Sequence, residues 1–311
     1  MKLGMVFPGQ GSQAVGMLRA YADLPGVEEA RAEARAALGA DFLRLLDEGP
    51  AEALNLTVNT QPAMVTAGYA AFRAWRALGG AEPEIVAGHS LGEYTALVAA
   101  GTLRFQDCLP LVRFRAQAMQ EAVPEGQGAM AAILNLDDDA VRAACAEAAQ
   151  DQAVQAVNFN APGQVVIAGH REAVARAMEA CKAKGARRAL LLPVSAPFHS
   201  SLMRPAAERL RGYLAQVPLA APHCQLINNV DVAVESQPEA IKDALVRQAA
   251  APVRWVESVR RMRELGATHV VECGPGKVLA GTVKRIDDAL QSHALADKAS
   301  LEQALAALKG A

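Results

Sequence analysis

Ser90 stands in Gly88-His89-Ser90-Leu91-Gly92, a G-x-S-x-G sequence with a residue lacking Cβ two places to either side of the serine. A serine hydroxyl becomes a nucleophile when a base takes its proton and donors receive the charge developing on the attacked carbonyl. The flanks suit that chemistry. Residues 85–87 read as a short buried strand, and residues 91–100 as a helix stopped by Gly101. A strand reversing so sharply into a helix strains the serine backbone, and the glycines make room for it. Ser90 Oγ is then expected at a helix N-terminus, where free N–H groups and the positive end of the dipole favour an oxyanion.

The base must come from six histidines. His89 adjoins the serine and should point away from its Oγ. Active groups of open α/β sheets gather at the carboxyl ends of the strands. His269 opens a strand that ends at Glu272, and His223 precedes a strand, so both lie at the wrong edge. His170 ends a hairpin strand, and His293 lies in a loose polar stretch. His199 follows a strand directly, at the edge of the elbow and of the glycine-rich loop 8–11, and is the best candidate. No aspartate is an obvious third member. The helix ending near Gln248, ahead of Ala251-Pro252, leaves carbonyls unsatisfied. One of them could accept the Nδ1–H of His199 and fix its tautomer. A serine esterase would instead need serine, acid and histidine in that chain order, with Ser90, Asp231 and His269 as its cast. The strand-edge argument disfavours that arrangement.

In the helix around 106–122, Arg115 lies three and four residues from Val112, Leu111, Ala118 and Met119, hence on the apolar face. An inward arginine needs an anionic partner. Two partners fit equally well: a buried carboxylate of the protein, or the carboxylate of a substrate held in a bidentate clamp. Arg113 is expected on a solvated face. Cys273, in Val-Glu-Cys-Gly-Pro-Gly, could be a nucleophile but reads better as a core cysteine at a strand end. Gly274-Pro275-Gly276-Lys277 lacks the full phosphate-loop pattern and reads as a strand-to-helix turn.

The elements that must position these residues follow the α/β pattern. A first buried strand at 3–7 enters the loop Pro8-Gly9-Gln10-Gly11. Helices are expected at 27–38, 42–46 and from Asn59-Thr60-Gln61-Pro62 to 78. After the break at 124–128 comes a strand (129–134), a helix (140–149), a hairpin (153–159 and 164–168), a helix (171–183) and a strand (189–194). That is β-α-β-β-α-β, a ferredoxin-like unit inserted into the larger domain. The chain re-enters that domain through Ser195-Ala196-Pro197-Phe198-His199. Helices at 202–216, 240–248 and 255–265, strands at 225–228 and 269–272, and a terminal helix at 301–308 complete it. The expected division is residues 1–124 and 197–311 for the large α/β subdomain and 125–196 for the small one.

The 311 residues are 52% apolar and 21% charged, with a net charge of -2, so a globular protein with a full core is expected and a nucleic-acid surface is not. Five cysteines, with no C-x-x-C, fit buried thiols in a reducing compartment. No stretch reaches membrane-spanning length, and the opening residues, broken at Pro8-Gly9, do not read as a signal peptide. A cytoplasmic protein is expected.

Four motifs in order, Phe7-Pro8-Gly9-Gln10-Gly11-Ser12-Gln13, Gly88-His89-Ser90-Leu91-Gly92-Glu93, Asn158-Phe159-Asn160 and residues 271–277, resemble the malonyl-CoA:acyl carrier protein transacylase family, over the chain as far as about residue 290. The resemblance implies an α/β-hydrolase-like large subdomain with a ferredoxin-like small one. It implies Ser90 as nucleophile, His199 as base, the Gln248 carbonyl as orienting group, the backbone N–H groups of Gln10 and Leu91 as oxyanion hole, and Arg115 as the clamp on the malonyl carboxylate. Phe198 and Asn160 are implied substrate-binding positions, and the Phe198 side chain resembles that of malonyl-selective members. Malonyl-CoA is the implied substrate and acyl carrier protein the partner, with no metal or redox cofactor and a monomer expected. Lys182, Lys184, Arg187 and Arg188 could form a basic rim for an acidic carrier. Acyltransferases of polyketide synthesis or malonate decarboxylation share these motifs.

Overall fold

The computed structural model describes residues 1–194 and 196–309; Ser195, in the loop that leads up to His199, lies outside the described residues. Leu3–Phe7 (β1) is apolar and wholly buried, and ends at Pro8, which has no N–H for a ladder. A 3-10 turn at Met17–Tyr21 precedes helices Val27–Leu38 (α1), Ala40–Glu48 (α2) and Ala51–Leu54 (α3). The long helix Thr57–Ala77 (α4) starts two residues before the expected cap, so Pro62 lies beyond its first turn. The early start has a local cause: the Thr57 hydroxyl donates to Gln10 Oε1 at 2.7 Å and so ties the first turn to the loop after β1.

Ile85–Gly88 (β2), Gly92–Ala99 (α5) and Phe105–Glu121 (α6) carry the chain to the smaller sheet. There follow Gly128–Leu134 (β3), Asp138–Ala149 (α7), Val154–Ala161 (β4), Gln164–His170 (β5), Arg171–Ala183 (α8) and Arg188–Leu191 (β6). The order β4-β5-β3-β6, antiparallel throughout, is the ferredoxin-like arrangement, with α7 and α8 burying Val141, Ala144, Val174 and Ala177 against it. Asp137 caps α7 by accepting from the Ala140 N–H at 3.0 Å.

A 3-10 turn at Ser201–Met203, then Arg204–Leu214 (α9), Gln225–Ile227 (β7), Pro238–Ala249 (α10), Trp255–Glu264 (α11), His269–Glu272 (β8), Val278–Ile286 (α12), Gln291–Ala294 (β9) and Lys298–Leu308 (α13) complete the chain. The larger sheet is parallel throughout in the order β7-β2-β1-β8-β9. β9 corrects the sequence reading, which left His293 in a loose stretch. It is an edge strand, half exposed and polar, so no buried apolar run marks it. The registers Phe7↔Gly88, Ala87↔Ile227 and Val6↔Glu272 bring the ends of β1, β2, β7 and β8 to one edge, where the elbow and the loop after β1 meet.

The two sheets are joined next to that edge. Val253, just past α10, donates to the Val157 carbonyl at 2.8 Å and accepts from the Phe159 N–H at 3.0 Å, so β4 borders the segment that follows Gln248. No helix among the described residues is long and apolar enough to cross a membrane.

Candidate active site

The elbow is a matter of backbone clearance. A Cβ on Gly88 would stand 1.9 Å from the Gly92 carbonyl carbon, and one on Gly92 would stand 1.9 Å from the Phe7 carbonyl oxygen. Only glycine fits either position, and the approach lets β1, β2 and α5 pack edge to end. Ser90 between them has φ +52°, a left-handed conformation that costs a non-glycine residue of order 1 kcal/mol or more. The surroundings hold it there. Its N–H donates to Asn229 Oδ1 at 2.7 Å, and its carbonyl accepts from Gln248 Nε2 at 2.9 Å.

Ser90 Oγ lies 2.6 Å from His199 Nε2, and His199 Nδ1 lies 2.9 Å from the Gln248 carbonyl oxygen. A carbonyl can only accept, so Nδ1 carries the ring proton and Nε2 offers its lone pair to the serine hydroxyl. Burial, helped by the nearby Arg115 charge, pushes the His199 imidazolium down to about 3. The ring is therefore a neutral acceptor near neutrality. The strand before His199, β6, belongs to the smaller sheet, so the strand-edge argument names the histidine that lies against Ser90 but on a wrong premise. What brings His199 to the elbow is the crossing loop between the two sheets, and His199 itself has φ +65°.

Arg115 is 2% exposed. Its Nη1 donates to Gln61 Oε1 at 2.8 Å, and its Nη2 to Gln248 Oε1 at 3.0 Å and to Ser90 Oγ at 3.3 Å. Its Nε has no hydrogen-bond partner among the described residues, and the guanidinium lies 5.3 Å from the centre of the Tyr94 ring. Of the two partners left open by the sequence, the protein carboxylate is absent: no described acid lies within ion-pair distance of this cation, and neutral amides hold it. Arg113 is half buried over the Phe42 ring at 5.5 Å, not on the solvated face expected for it.

The backbone N–H of Leu91, at the start of α5, and that of Gln10, in the loop after β1, make no hydrogen bond among the described residues. His89 points away from Ser90, as its position suggested, and its Nε2 lies 2.7 Å from Asn160 Oδ1 on β4. Burial lowers the His89 imidazolium below its ordinary range. Phe198 is buried in the main core, one residue before His199. Lys182 and Lys184 are paired with Glu179 at 2.7 Å and Glu147 at 2.8 Å, while Arg187 and Arg188 are exposed at the start of β6. The esterase cast falls apart: Asp231 is bound bidentately by Arg247, with both contacts at 2.7 Å, and His269 is bonded to Thr268 and stacked on His293.

Four site groups escaped the sequence reading: Gln61, Asn229, Glu93 and the side chain of Gln248. All are buried, at 0%, 0%, 2% and 0% exposure. Glu93 closes the alignable motif Gly88–Glu93 and was the one with a visible signal. Among the described residues no three His, Cys, Asp or Glu side chains gather as they would around a metal ion.

A half-exposed serine thus fronts a buried neutral imidazole with an oriented ring proton, a buried cation with no described acid at ion-pair distance, and the N–H groups of buried Leu91 and exposed Gln10. Residues 5–305 match the model of the acyl transferase domain. The chain is 55% identical over 305 residues to the malonyl CoA-acyl carrier protein transacylase of Escherichia coli, covering 98% of this chain and 99% of that one. It superposes with TM-score 0.96 on the crystal structure of an acyl-carrier-protein S-malonyltransferase from Burkholderia pseudomallei, at 64% identity and with 98% and 100% of the two chains covered. The same TM-score, at 51% identity with 99% and 100% covered, relates it to a malonyl-transacylase solved in complex with a type II PKS acyl-carrier protein. The chain belongs to the acyl transferase family, among the malonyl CoA-acyl carrier protein transacylases, and is an acyltransferase.

Proposed function

We propose that the chain moves a malonyl group from malonyl-CoA to the phosphopantetheine thiol of an acyl carrier protein by way of a malonyl-serine at Ser90, as a supply step for fatty acid synthesis. The observation that carries the substrate is Arg115: a buried guanidinium 3.3 Å from Ser90 Oγ, with no carboxylate at ion-pair distance among the described residues. A buried charge without a counter-charge is costly, and an acyl group ending in a carboxylate relieves that cost where acetyl cannot.

In this reading His199 Nε2 takes the Ser90 proton as Oγ attacks the thioester carbonyl. The Ser90 N–H is already committed to Asn229, so the oxyanion falls to the free N–H groups of Leu91 and Gln10, each contributing ~3 kcal/mol. The imidazolium, stabilised through Nδ1–H by the Gln248 carbonyl, then protonates the departing CoA thiolate. The carrier thiol enters by the reverse sequence: it loses its proton to His199, attacks the malonyl-serine, and leaves Ser90 Oγ to recover that proton. Phe198 and Asn160 bound the acyl site, and Arg187 and Arg188 join the rim that receives the carrier. The relative solved with a polyketide carrier supports a second reading of the pathway, with the same chemistry serving a polyketide carrier.

The test is intact-mass spectrometry after brief mixing with malonyl-CoA or acetyl-CoA. Wild type is expected to gain a malonyl adduct far faster than an acetyl one, and Arg115→Ala to lose that preference. Equal labelling of wild type by both thioesters would remove the substrate assignment.

A further inference from the structure

The strained Ser90 is held at its carbonyl by the Glu93 backbone N–H, at 3.1 Å, and at both backbone groups by the side chains of two further residues, both of which lead to one atom. Asn229 Oδ1 takes the Ser90 N–H, and Asn229 Nδ2 donates to the Gly88 carbonyl at 2.6 Å. Gln248 Nε2 donates to the Ser90 carbonyl. Glu93 Oε2 accepts from the Asn229 backbone N–H at 3.0 Å and from Gln248 Nε2 at 2.9 Å. Glu93 touches neither Ser90 Oγ nor the His199 ring. We propose that Glu93 is a positioning residue: its Oε2 fixes Asn229 and Gln248, and through them holds Ser90 in its left-handed conformation and aims its Oγ at His199.

Gln248 shows why an acceptor is needed at that point. Its amide lies between a guanidinium and a carboxyl that burial pushes up to about 7, with Oε1 receiving Arg115 and Nε2 facing Glu93 Oε2. Turning the amide over would set its NH2 against a guanidinium and its oxygen against a carboxylate. Glu93 and Arg115 therefore select one orientation, the one in which Nε2 also reaches the Ser90 carbonyl. The same residue's backbone carbonyl orients His199, so a displaced Gln248 would disturb nucleophile and base together. The acceptor is buried, and no cation among the described residues lies within ion-pair distance of it, so its role rests on hydrogen-bond geometry.

This inference rests on Ser90 being the nucleophile. The test uses a neutral fluorophosphonate ester, which needs an aligned Ser90 and His199 but no carboxylate clamp. Labelling rates are read by intact mass and peptide mapping for wild type, Ser90→Ala, Glu93→Ala, Glu93→Asp and Glu93→Gln, each checked for folding by circular dichroism. Wild type should label at Ser90, and Ser90→Ala should not. Glu93→Ala should label roughly 30-fold more slowly, the scale expected for a misplacement of about 1 Å. Glu93→Gln, which keeps an oxygen where Oε2 stands, should recover most of that loss. Glu93→Asp, which keeps the charge but withdraws the oxygen, should stay about tenfold below Glu93→Gln. That order decides the question even where Glu93→Ala does not fold. Folded variants that all label at the wild-type rate, or Glu93→Asp faster than Glu93→Gln, would overturn the positioning role alone. Wild type that fails to label at Ser90 would instead overturn the nucleophile assignment and this inference with it.

Discussion

Two strand–turn–helix units leave the same edge of the parallel sheet on either side of β1: β2 to α5 through Ser90, and β8 to α12 through Cys273. Each places a nucleophilic atom after a strand, a carboxylate nearby and a helix just beyond. They differ in what the rest of the chain delivers. Around Ser90 converge the crossing loop with His199, α6 with Arg115, α10 with Gln248 and the segment after β7 with Asn229. Among the described residues neither a histidine nor a cation is bonded to Cys273. Its Sγ donates to the Gly68 carbonyl at 3.5 Å, and burial holds its thiol well above the ordinary range. Glu272 already occupies the start of α12, accepting from the Ala280 N–H at 2.7 Å. The turn presents an atom in both units, and on the proposed mechanism it is the convergence of other elements that makes Ser90 Oγ reactive.

The contrast can be broken at its strongest point by removing the base. His199→Ala should slow malonyl-serine formation by roughly 10²–10⁴-fold in rapid-quench experiments. A loss of less than tenfold would mean that Ser90 draws its reactivity from elsewhere. The second unit should fail in the opposite sense. Native protein treated with iodoacetamide at pH 8 should leave Cys273 unmodified, with modification appearing on unfolding in denaturant, as read by peptide mapping. Rapid native alkylation would contradict the inert role.

A smaller effect concerns pH. His199 is held neutral by burial down to about 3. Acylation at pH 5.5 should therefore stay within about threefold of its value at pH 7, where a histidine of ordinary pKa would lose about tenfold. A tenfold fall would show the ring to be ordinary.

The smallest effect is on stability. Burial pushes the Glu272 carboxyl up to about 7, and its Oε1 has no hydrogen-bond partner among the described residues. A carboxyl raised in the fold adds stability at low pH that is lost as pH climbs through the folded value. From pH 6 to 8 that loss is about 1.3 kcal/mol, or about 2 °C in Tm. Glu272→Gln should lessen the slope by that amount in thermal melts at the two pH values, the remainder belonging to Glu93, whose carboxyl burial also pushes up to about 7. Parallel melts for the two proteins would contradict the assignment.

These two units also separate what the sequence discloses from what it hides. The glycines at 88 and 92 announce the elbow because backbone clearance leaves no other residue possible. Arg115 is visible because helical spacing puts a charge on an apolar face. The ferredoxin-like insert follows from its alternating elements. Gln61, Asn229 and the Gln248 amide are invisible: they are neutral, far apart in the chain, and meet only because β7 lies beside β2. Periodicity gives strands but not their order. His199 is reached by elimination: the pattern assigns its preceding strand to the inserted unit, and nothing local tells that the crossing loop returns to the elbow. β9 was missed because an exposed edge strand has no buried run to reveal it.

The most direct test of the central claim is to locate the acyl group. Wild type is mixed with malonyl-CoA, quenched in acid, digested and mapped by mass spectrometry, with a parallel sample chased with holo acyl carrier protein before quenching. Malonyl is expected on the peptide bearing Ser90, absent from Ser90→Ala, unchanged in Cys273→Ala, and transferred to the carrier during the chase. Malonyl on Cys273, or a carrier malonylated by Ser90→Ala at the wild-type rate, would contradict that claim.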